Sequence, residues 1–192
     1  MTVLGPRFPE ALVYAERLHH GQCRKGTAVP YVSHLLAVAA LVLESGGSED
    51  EAIAALLHDA LEDCPGLTSA DDIARRFGQE VAATVEACSD TTVSPKPPWR
   101  ERKEAYLKHL REEATASALR VTAADKLHNT AAMVRDYERE GEALWKRFNA
   151  GREEQLWYLR EVADVLAHRD APLAAEVGRV VRELEALVPP QG

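Results

Sequence analysis

Residues 48–66 read Ser-Glu-Asp-Glu-Ala-Ile-Ala-Ala-Leu-Leu-His-Asp-Ala-Leu-Glu-Asp-Cys-Pro-Gly, and this segment constrains the fold more than any other. Ser48 with Glu51 three residues on is a capping-box start, and Pro65-Gly66 is a stop. The spacing predicts a helix running from Ser48 to about Asp63. Ile53, Leu56, Leu57, Ala60 and Leu61 leave that helix apolar on most sides, and a helix that is apolar nearly all round must be wrapped by other elements. Strand-type alternation is nearly absent from the rest of the chain, so the wrapping has to come from helices.

Helical periodicity and punctuation recur along the whole chain. A first helix is expected from about Pro9 to His20. The basic, Gly-bearing loop Gly21–Val29 leads to Pro30, a residue suited to a first helical turn. A second helix follows to Ser45 and stops at Gly46-Gly47. Thr68-Ser69 opens a short helix that ends at Gly78, and another covers Gln79–Cys88. Ser89–Pro98 is a loop by composition. Further helices are expected near 99–113, 117–139, 142–149, 152–168 and 172–188, with Pro-Pro-Gln-Gly at 189–192 as a frayed tail. No repeat or linker interrupts the series. The expectation is an all-α chain of about eight to ten helices forming a single domain over 1–192.

Composition narrows the function classes. Lys and Arg number 23 against 31 Asp and Glu, a formal charge of −8, and the positive side chains are scattered. A nucleic-acid backbone or an anionic membrane is therefore not expected as the partner, although a small anionic substrate needs only a local basic cluster. The longest apolar run, Leu35–Leu43, is far shorter than the roughly 20 residues of a membrane span. The amino terminus has no signal-peptide character. Cys23, Cys64 and Cys88 are odd in number and lack CxxC spacing, which fits a reduced, cytoplasmic protein.

The capped helix carries the chemistry. His58 and Glu62 are i,i+4, as are Asp59 and Asp63, so on a continuous helix the four form one polar strip. No Lys or Arg lies within a turn of it. Buried carboxylates must be paired, neutralised or given a cation. One reading is an exposed acidic helix end with His58 a core histidine; the other is a metal or substrate site. Two further polar insertions favour the second reading. Asp125 sits in Val-Thr-Ala-Ala-Asp-Lys-Leu-His-Asn (121–129), with Asn129 at i+4, Lys126 and His128 on either side. His34 lies in the apolar stretch Tyr31-Val-Ser-His-Leu-Leu-Ala-Val. Taken singly, His34 is a core histidine and Asp125–Asn129 a solvated stripe. Together, His34, His58, Asp59 and Asp125 make a mixed nitrogen and oxygen donor set on three helices, suited to Mn²⁺, Fe²⁺ or Zn²⁺.

Arg24-Lys25-Gly26, then Pro30-Tyr31-Val-Ser-His34, Leu57-His58-Asp59-Ala-Leu-Glu62-Asp63 and Ala124-Asp125-Lys126-Leu-His-Asn129 resemble the HD-domain metal-dependent phosphohydrolases. Within that superfamily the chain is similar to the RelA/SpoT-homology (p)ppGpp hydrolase domain, and above all to its small stand-alone alarmone hydrolases. The likeness covers roughly residues 8–168. It implies an all-helical HD-domain bundle, one Mn²⁺, and removal of the 3′-pyrophosphate of (p)ppGpp to leave GDP or GTP. By position, His34, His58, Asp59 and Asp125 would hold the metal, and Glu62 and Asp63 would position and deprotonate the attacking water. Arg24, Lys25, Lys126 and Asn129 would contact the nucleotide, with Arg24 at the base, Lys25 near phosphate and Asn129 at the ribose or its phosphate. The family often has Pro where Leu35 stands, and Thr27-Ala-Val29 before Pro30 is also a departure. Alternatives are an HD phosphohydrolase for another phosphorylated nucleotide, such as an NADPH 2′-phosphatase or a nucleotidase, and a non-catalytic nucleotide-sensing module. The basic cluster Trp99-Arg100-Glu-Arg-Lys103 is either a phosphate-reaching segment or a solvated helix start. Trp157-Tyr158 reads as a core pair ahead of a base-stacking one. Nothing in the sequence sets the oligomeric state, and a homodimer is one option. With no synthetase or regulatory segment in these 192 residues, the expectation is hydrolysis only.

Overall fold

The computed structural model describes residues 2–91 and 95–189. Its helices are α1 (Arg7–Leu18), α2 (Val32–Glu44), α3 (Glu49–Leu57), α4 (Ala60–Asp63), α5 (Ala70–Phe77), α6 (Gln79–Cys88), α7 (Trp99–Glu112), α8 (Ala116–Glu140), α9 (Arg152–His168) and α10 (Ala174–Leu187), with a 3₁₀ segment, Gly141–Arg147, between α8 and α9. The fold is all-α; among the described residues the β-type pairings are isolated bridges, at Cys23 with Pro30 and at Pro65 with Thr68. No helix among them is long and apolar enough to cross a membrane.

Local sequence sets the helix starts. Ser48 Oγ accepts from the Glu51 amide at 3.2 Å while the Ser48 amide donates to Glu51 Oε2 at 2.7 Å, closing the capping box of α3. Ser69 and Thr115 cap α5 and α8 by the same side-chain contact, each at 3.2 Å. From that start every residue of α3 between Ala52 and Leu57 is buried, with Ile53, Leu56 and Leu57 fully so. Helices α1, α2, α6 and α8 pack around it. Side chains of this size stabilise by about 1.5–3 kcal/mol each when fully buried.

Two apolar clusters result. One surrounds α3, drawing on α1, α2, α5, α6 and the Val121–Ala124 stretch of α8; the other joins α7, α8, α9 and α10. Helix α8 belongs to both, so Asp125 is carried on a rod fixed on two sides. Arg120 on the same helix donates to the Ser45 carbonyl at 2.5 Å and to Glu51 Oε1 at 3.1 Å, tying α8 to the loop that starts α3.

Two expectations need correction. The helix from Ser48 does not run unbroken to Asp63: it stops at Leu57, His58 and Asp59 form a turn with Asp59 at φ −96°, ψ −3°, and α4 resumes at Ala60. The Asp59 carbonyl still accepts from the Asp63 amide at 2.9 Å, so the chain direction persists while the His58 and Asp59 side chains are re-aimed. In place of the α-helix expected over 142–149 stands the 3₁₀ segment Gly141–Arg147, and its first residue, Gly141 at φ +56°, ends α8. Residues 190–192 of the expected tail and 92–94 of the expected loop lie outside the described residues.

Candidate active site

Three elements deliver the donor set. Helix α2 brings His34, the α3–α4 turn brings His58 and Asp59, and α8 brings Asp125. His34 Nε2 lies 3.2 Å from Asp125 Oδ1 and 3.7 Å from Asp59 Oδ2; His58 Nε2 lies 3.0 Å from Asp59 Oδ2 and 3.6 Å from Asp125 Oδ1. One donor atom each of His34, His58 and Asp59 falls within a 4.8 Å span. Neighbouring donors around a first-row cation bound at about 2.1 Å stand roughly 3–3.5 Å apart, so the spacing fits such an ion.

The hydrogen bonding makes the same case. His58 Nδ1 lies 2.8 Å from the Ala55 carbonyl oxygen, which can only accept, so Nδ1 carries the proton. In the neutral ring Nε2 then holds a lone pair facing two carboxylates. Nε2 of His34 and of His58 are both buried without a hydrogen-bond partner. Two buried imidazole nitrogens and two carboxylates turned on one point are stable only with a positive charge among them. Burial works against a charged His58, yet Asp59 and Asp125 outweigh it and raise its pKa well above the usual imidazole value. The site demands a cation, and a proton on His58 is the smallest that can serve.

Each carboxylate has an outer partner. Tyr31 Oη donates to Asp59 Oδ2 at 2.5 Å. Asp125 accepts from Lys126 Nζ at 2.7 Å and from Asn129 Nδ2 at 2.5 Å. Burial opposes ionisation of Asp125, but Lys126 and the two histidines hold its pKa well below the carboxylate range. Such partners fix the orientation of a ligating side chain.

One turn on, Glu62 and Asp63 project from α4. Glu62 Oε1 accepts from the Asp90 amide at 2.7 Å, and Lys96 Nζ is 3.8 Å from Oε2. Burial first, then the Asp90 charge, raises the Glu62 carboxyl to about 7. Burial and the Asp59 charge raise Asp63 as well. Asp90 itself is clamped by Arg102 and Lys103, each at 2.5 Å.

Glu62 and Asp63 open on a cleft of about 1040 Å³, whose walls carry Arg24, Lys25, Lys96, Arg102, Lys103, Lys126, Arg135, Arg139 and Arg147. On a chain of net charge −8 this is a strong local concentration of positive charge. Arg24 Nη2 donates to Asn129 Oδ1 at 2.8 Å, which brings the 22–31 loop onto α8. Lys25 Nζ lies 5.7 Å from the centre of the Phe148 ring. Gly26, at φ +73°, lets that loop close on the 3₁₀ segment, because a Cβ there would sit 2.6 Å from Arg147 Cδ. The cleft lining includes Tyr31, Ser33, His128 and Asn129 but none of the four donor residues, so the donor set lies beneath the floor.

A comparison with protein families matches an HD-domain model over residues 11–156. The chain belongs to the HD-domain family. Among curated proteins it is 38% identical over 123 residues to guanosine-3′,5′-bis(diphosphate) 3′-pyrophosphohydrolase of Xenopus tropicalis, covering 62% of this chain and 65% of that one. It is 33% identical over 128 residues to the bifunctional (p)ppGpp synthase/hydrolase SpoT of Escherichia coli, covering 64% of this chain and 17% of that one. The chain thus spans just under two thirds of the first relative and a small part of the second. Among solved structures, a metazoan SpoT ortholog described as hydrolysing ppGpp superposes with a TM-score of 0.78 at 26% identity, over 98% of this chain and all of the other. A Listeria monocytogenes protein superposes with a TM-score of 0.67 at 29% identity, over 78% and 96%.

Within this HD-domain chain the structure gathers His34, His58, Asp59 and Asp125 at one point and ranges Arg24, Lys25, Glu62, Asp63, Lys126 and Asn129 along the cleft. Arg102 and Lys103 of the 99–103 cluster turn into the cleft, whereas Arg100 stacks its guanidinium 3.2 Å from the centre of the Trp157 ring on the outer side. Tyr158 is a core residue, as expected, and reaches the cleft wall. The sequence assigns no role to three residues of the site. Tyr31 is one helical step before His34, a spacing that could have flagged it. His128 was visible inside the 121–129 motif, and its Nδ1 lies 2.8 Å from His34 Nδ1. Asp90 sits in a Ser/Thr loop, and no local pattern connects it to Glu62.

Proposed function

We propose that the protein is a divalent-cation-dependent 3′-pyrophosphohydrolase of (p)ppGpp, releasing pyrophosphate and leaving GDP or GTP, and that the whole of residues 1–192 serves this activity in the cytoplasm. The observation that carries the proposal is the pair of buried, unpartnered Nε2 atoms of His34 and His58 facing Asp59 and Asp125 beneath a basic cleft. The names of the similar proteins support the choice of substrate.

In this reading His34, His58, Asp59 and Asp125 hold the ion, and Mn²⁺ suits their mixed donor set. The cation supplies a Lewis acid that acidifies water and draws charge from a phosphoryl oxygen. The chain's own residues do the rest. Glu62, fixed by the Asp90 amide, accepts the proton of the attacking water, and Asp63 holds that water in line. Arg24 and Asn129, already joined to each other, receive the nucleoside end. Lys25, Lys126 and the Lys96–Lys103 side of the cleft neutralise the phosphate chains. Phosphoryl-type transfer needs chiefly positioning and charge neutralisation, which this cleft can supply. Three cysteines without a disulfide partner support the cytoplasmic assignment.

Incubating Mn²⁺-loaded protein with ppGpp should release pyrophosphate and GDP. Turnover of NADPH or a nucleoside monophosphate with none of ppGpp would replace the substrate assignment. Tight nucleotide binding without product would make the chain a sensor.

A further inference from the structure

His34 and His128 face each other through Nδ1 atoms 2.8 Å apart, with their rings 4.9 Å between centres. A contact of that length needs one proton between the two nitrogens, donated by one ring and accepted by the other. The donor's identity is then tied to what happens at the far nitrogen of each ring. His34 Nε2 points at Asp125 Oδ1, 3.2 Å away. His128 lines the cleft, and among the described residues its Nε2 has no hydrogen-bond partner.

Two neutral arrangements satisfy these contacts. In the first, His34 carries its proton on Nε2, toward Asp125. Its Nδ1 then accepts from Nδ1–H of His128, whose Nε2 is left as a bare acceptor at the cleft wall. In the second, His34 Nε2 offers its lone pair to a cation. The proton of His34 is then on Nδ1 and is donated to His128 Nδ1, so His128 must carry its own proton on Nε2. Each arrangement holds two protons on two neutral rings, so no net charge is gained or lost.

We propose that His34 and His128 form a tautomer-coupled pair, in which filling the cation site turns the cleft-facing Nε2 of His128 from a hydrogen-bond acceptor into a donor. The inference rests on the cation reading of the site given above. A phosphoryl oxygen in the cleft can only accept, so it is repelled by His128 before the ion enters and welcomed after it. His128 is thus a positioning residue toward the ion and a specificity element toward anions. Lys126, two residues before it, and Asn129, the residue after it, line the same cleft.

The test reads the protons directly. Full-length protein with ¹⁵N-labelled histidine is observed at neutral pH, metal-free and with Zn²⁺ as a diamagnetic probe. His128 should show its protonated nitrogen at Nδ1 in the first case and at Nε2 in the second. The same tautomer in both would overturn the proposal. Calorimetric titration with Zn²⁺ gives an independent reading. His128→Leu removes the acceptor for His34 Nδ1–H and should weaken binding roughly 10–100-fold, while His128→Asn, which keeps a polar atom near the Nδ1 position, should bind close to wild type. Unchanged affinity in His128→Leu would overturn the pairing. A wild-type protein that takes up no Zn²⁺ or Mn²⁺ overturns the cation reading itself, a result distinct from either.

Discussion

Asp90 acts on Glu62 in two opposed ways. Its backbone amide donates to Glu62 Oε1 at 2.7 Å and favours the carboxylate, while its side-chain charge disfavours it. After burial, that charge is the largest influence raising the Glu62 carboxyl to about 7. A general base must be deprotonated to accept, so the rate should fall as pH drops through about 7. Asp90→Asn keeps the amide, removes the negative charge and frees Arg102 and Lys103. Both changes favour ionised Glu62 and the retained amide still supports it, so the acid limb of the kcat/KM profile should move to lower pH. A limb that stays in place with saturating metal would remove Glu62 as the titrating base.

Cation removal should cost stability as well as activity. An ion that binds only the folded chain, present at about 100 times its Kd, contributes about 2.7 kcal/mol. For a domain of this size that is roughly 5–10 °C in Tm. Thermal melts with Mn²⁺ and with a chelator should differ by that amount. His58→Ala should abolish the difference, whereas Glu62→Gln should keep it while losing turnover. Equal loss of the metal-induced shift in both variants would contradict the division between ion-holding and water-handling residues.

Much of this was legible in the sequence for a physical reason. The capping box at Ser48, the stop at Gly78 and the cap at Ser69 are local chemistry, so helix limits there follow from adjacent residues. Helices α6 and α9 match the expected spans residue for residue. His34, His58, Asp59 and Asp125 stood out because each interrupts an apolar run. The break after Leu57 was hidden, since Leu-His-Asp-Ala contains no residue that forbids a helix; it is tertiary contact, Asp59 with Tyr31 and His58 with the Asp125 carboxylate, that accompanies the turn. The partners of Tyr31, Asp90 and His128 lie 28 to 94 positions away, beyond the reach of a local pattern.

The buried face of α3 supports the site from behind. Leu56 is fully buried within the cluster around that helix, and Leu56→Ala should cost about 2–5 kcal/mol. Ser48→Ala, which removes only a cap on the exposed side, should cost about 1 kcal/mol and leave kcat unchanged. Urea titrations measure both. A neutral Leu56→Ala would mean that α3 is not the packing centre.

The Arg24–Asn129 contact separates binding from chemistry. Arg24 is fixed by Asn129 at 2.8 Å, and its loop is seated on the 3₁₀ segment through Gly26. Neither side chain of the contact belongs to the donor set or to the Glu62–Asp63 pair. Arg24→Ala should therefore raise KM for ppGpp, with the loss of about one charge-assisted hydrogen bond, 1.5–3 kcal/mol or roughly 10–150-fold, at nearly constant kcat. Gly26→Ala should do the same indirectly, because its Cβ meets Arg147 and the positive φ is strained. Steady-state kinetics with saturating Mn²⁺ distinguish the outcomes: a fall in kcat with unchanged KM in Arg24→Ala would move Arg24 from the nucleoside end of the cleft to the reacting phosphate.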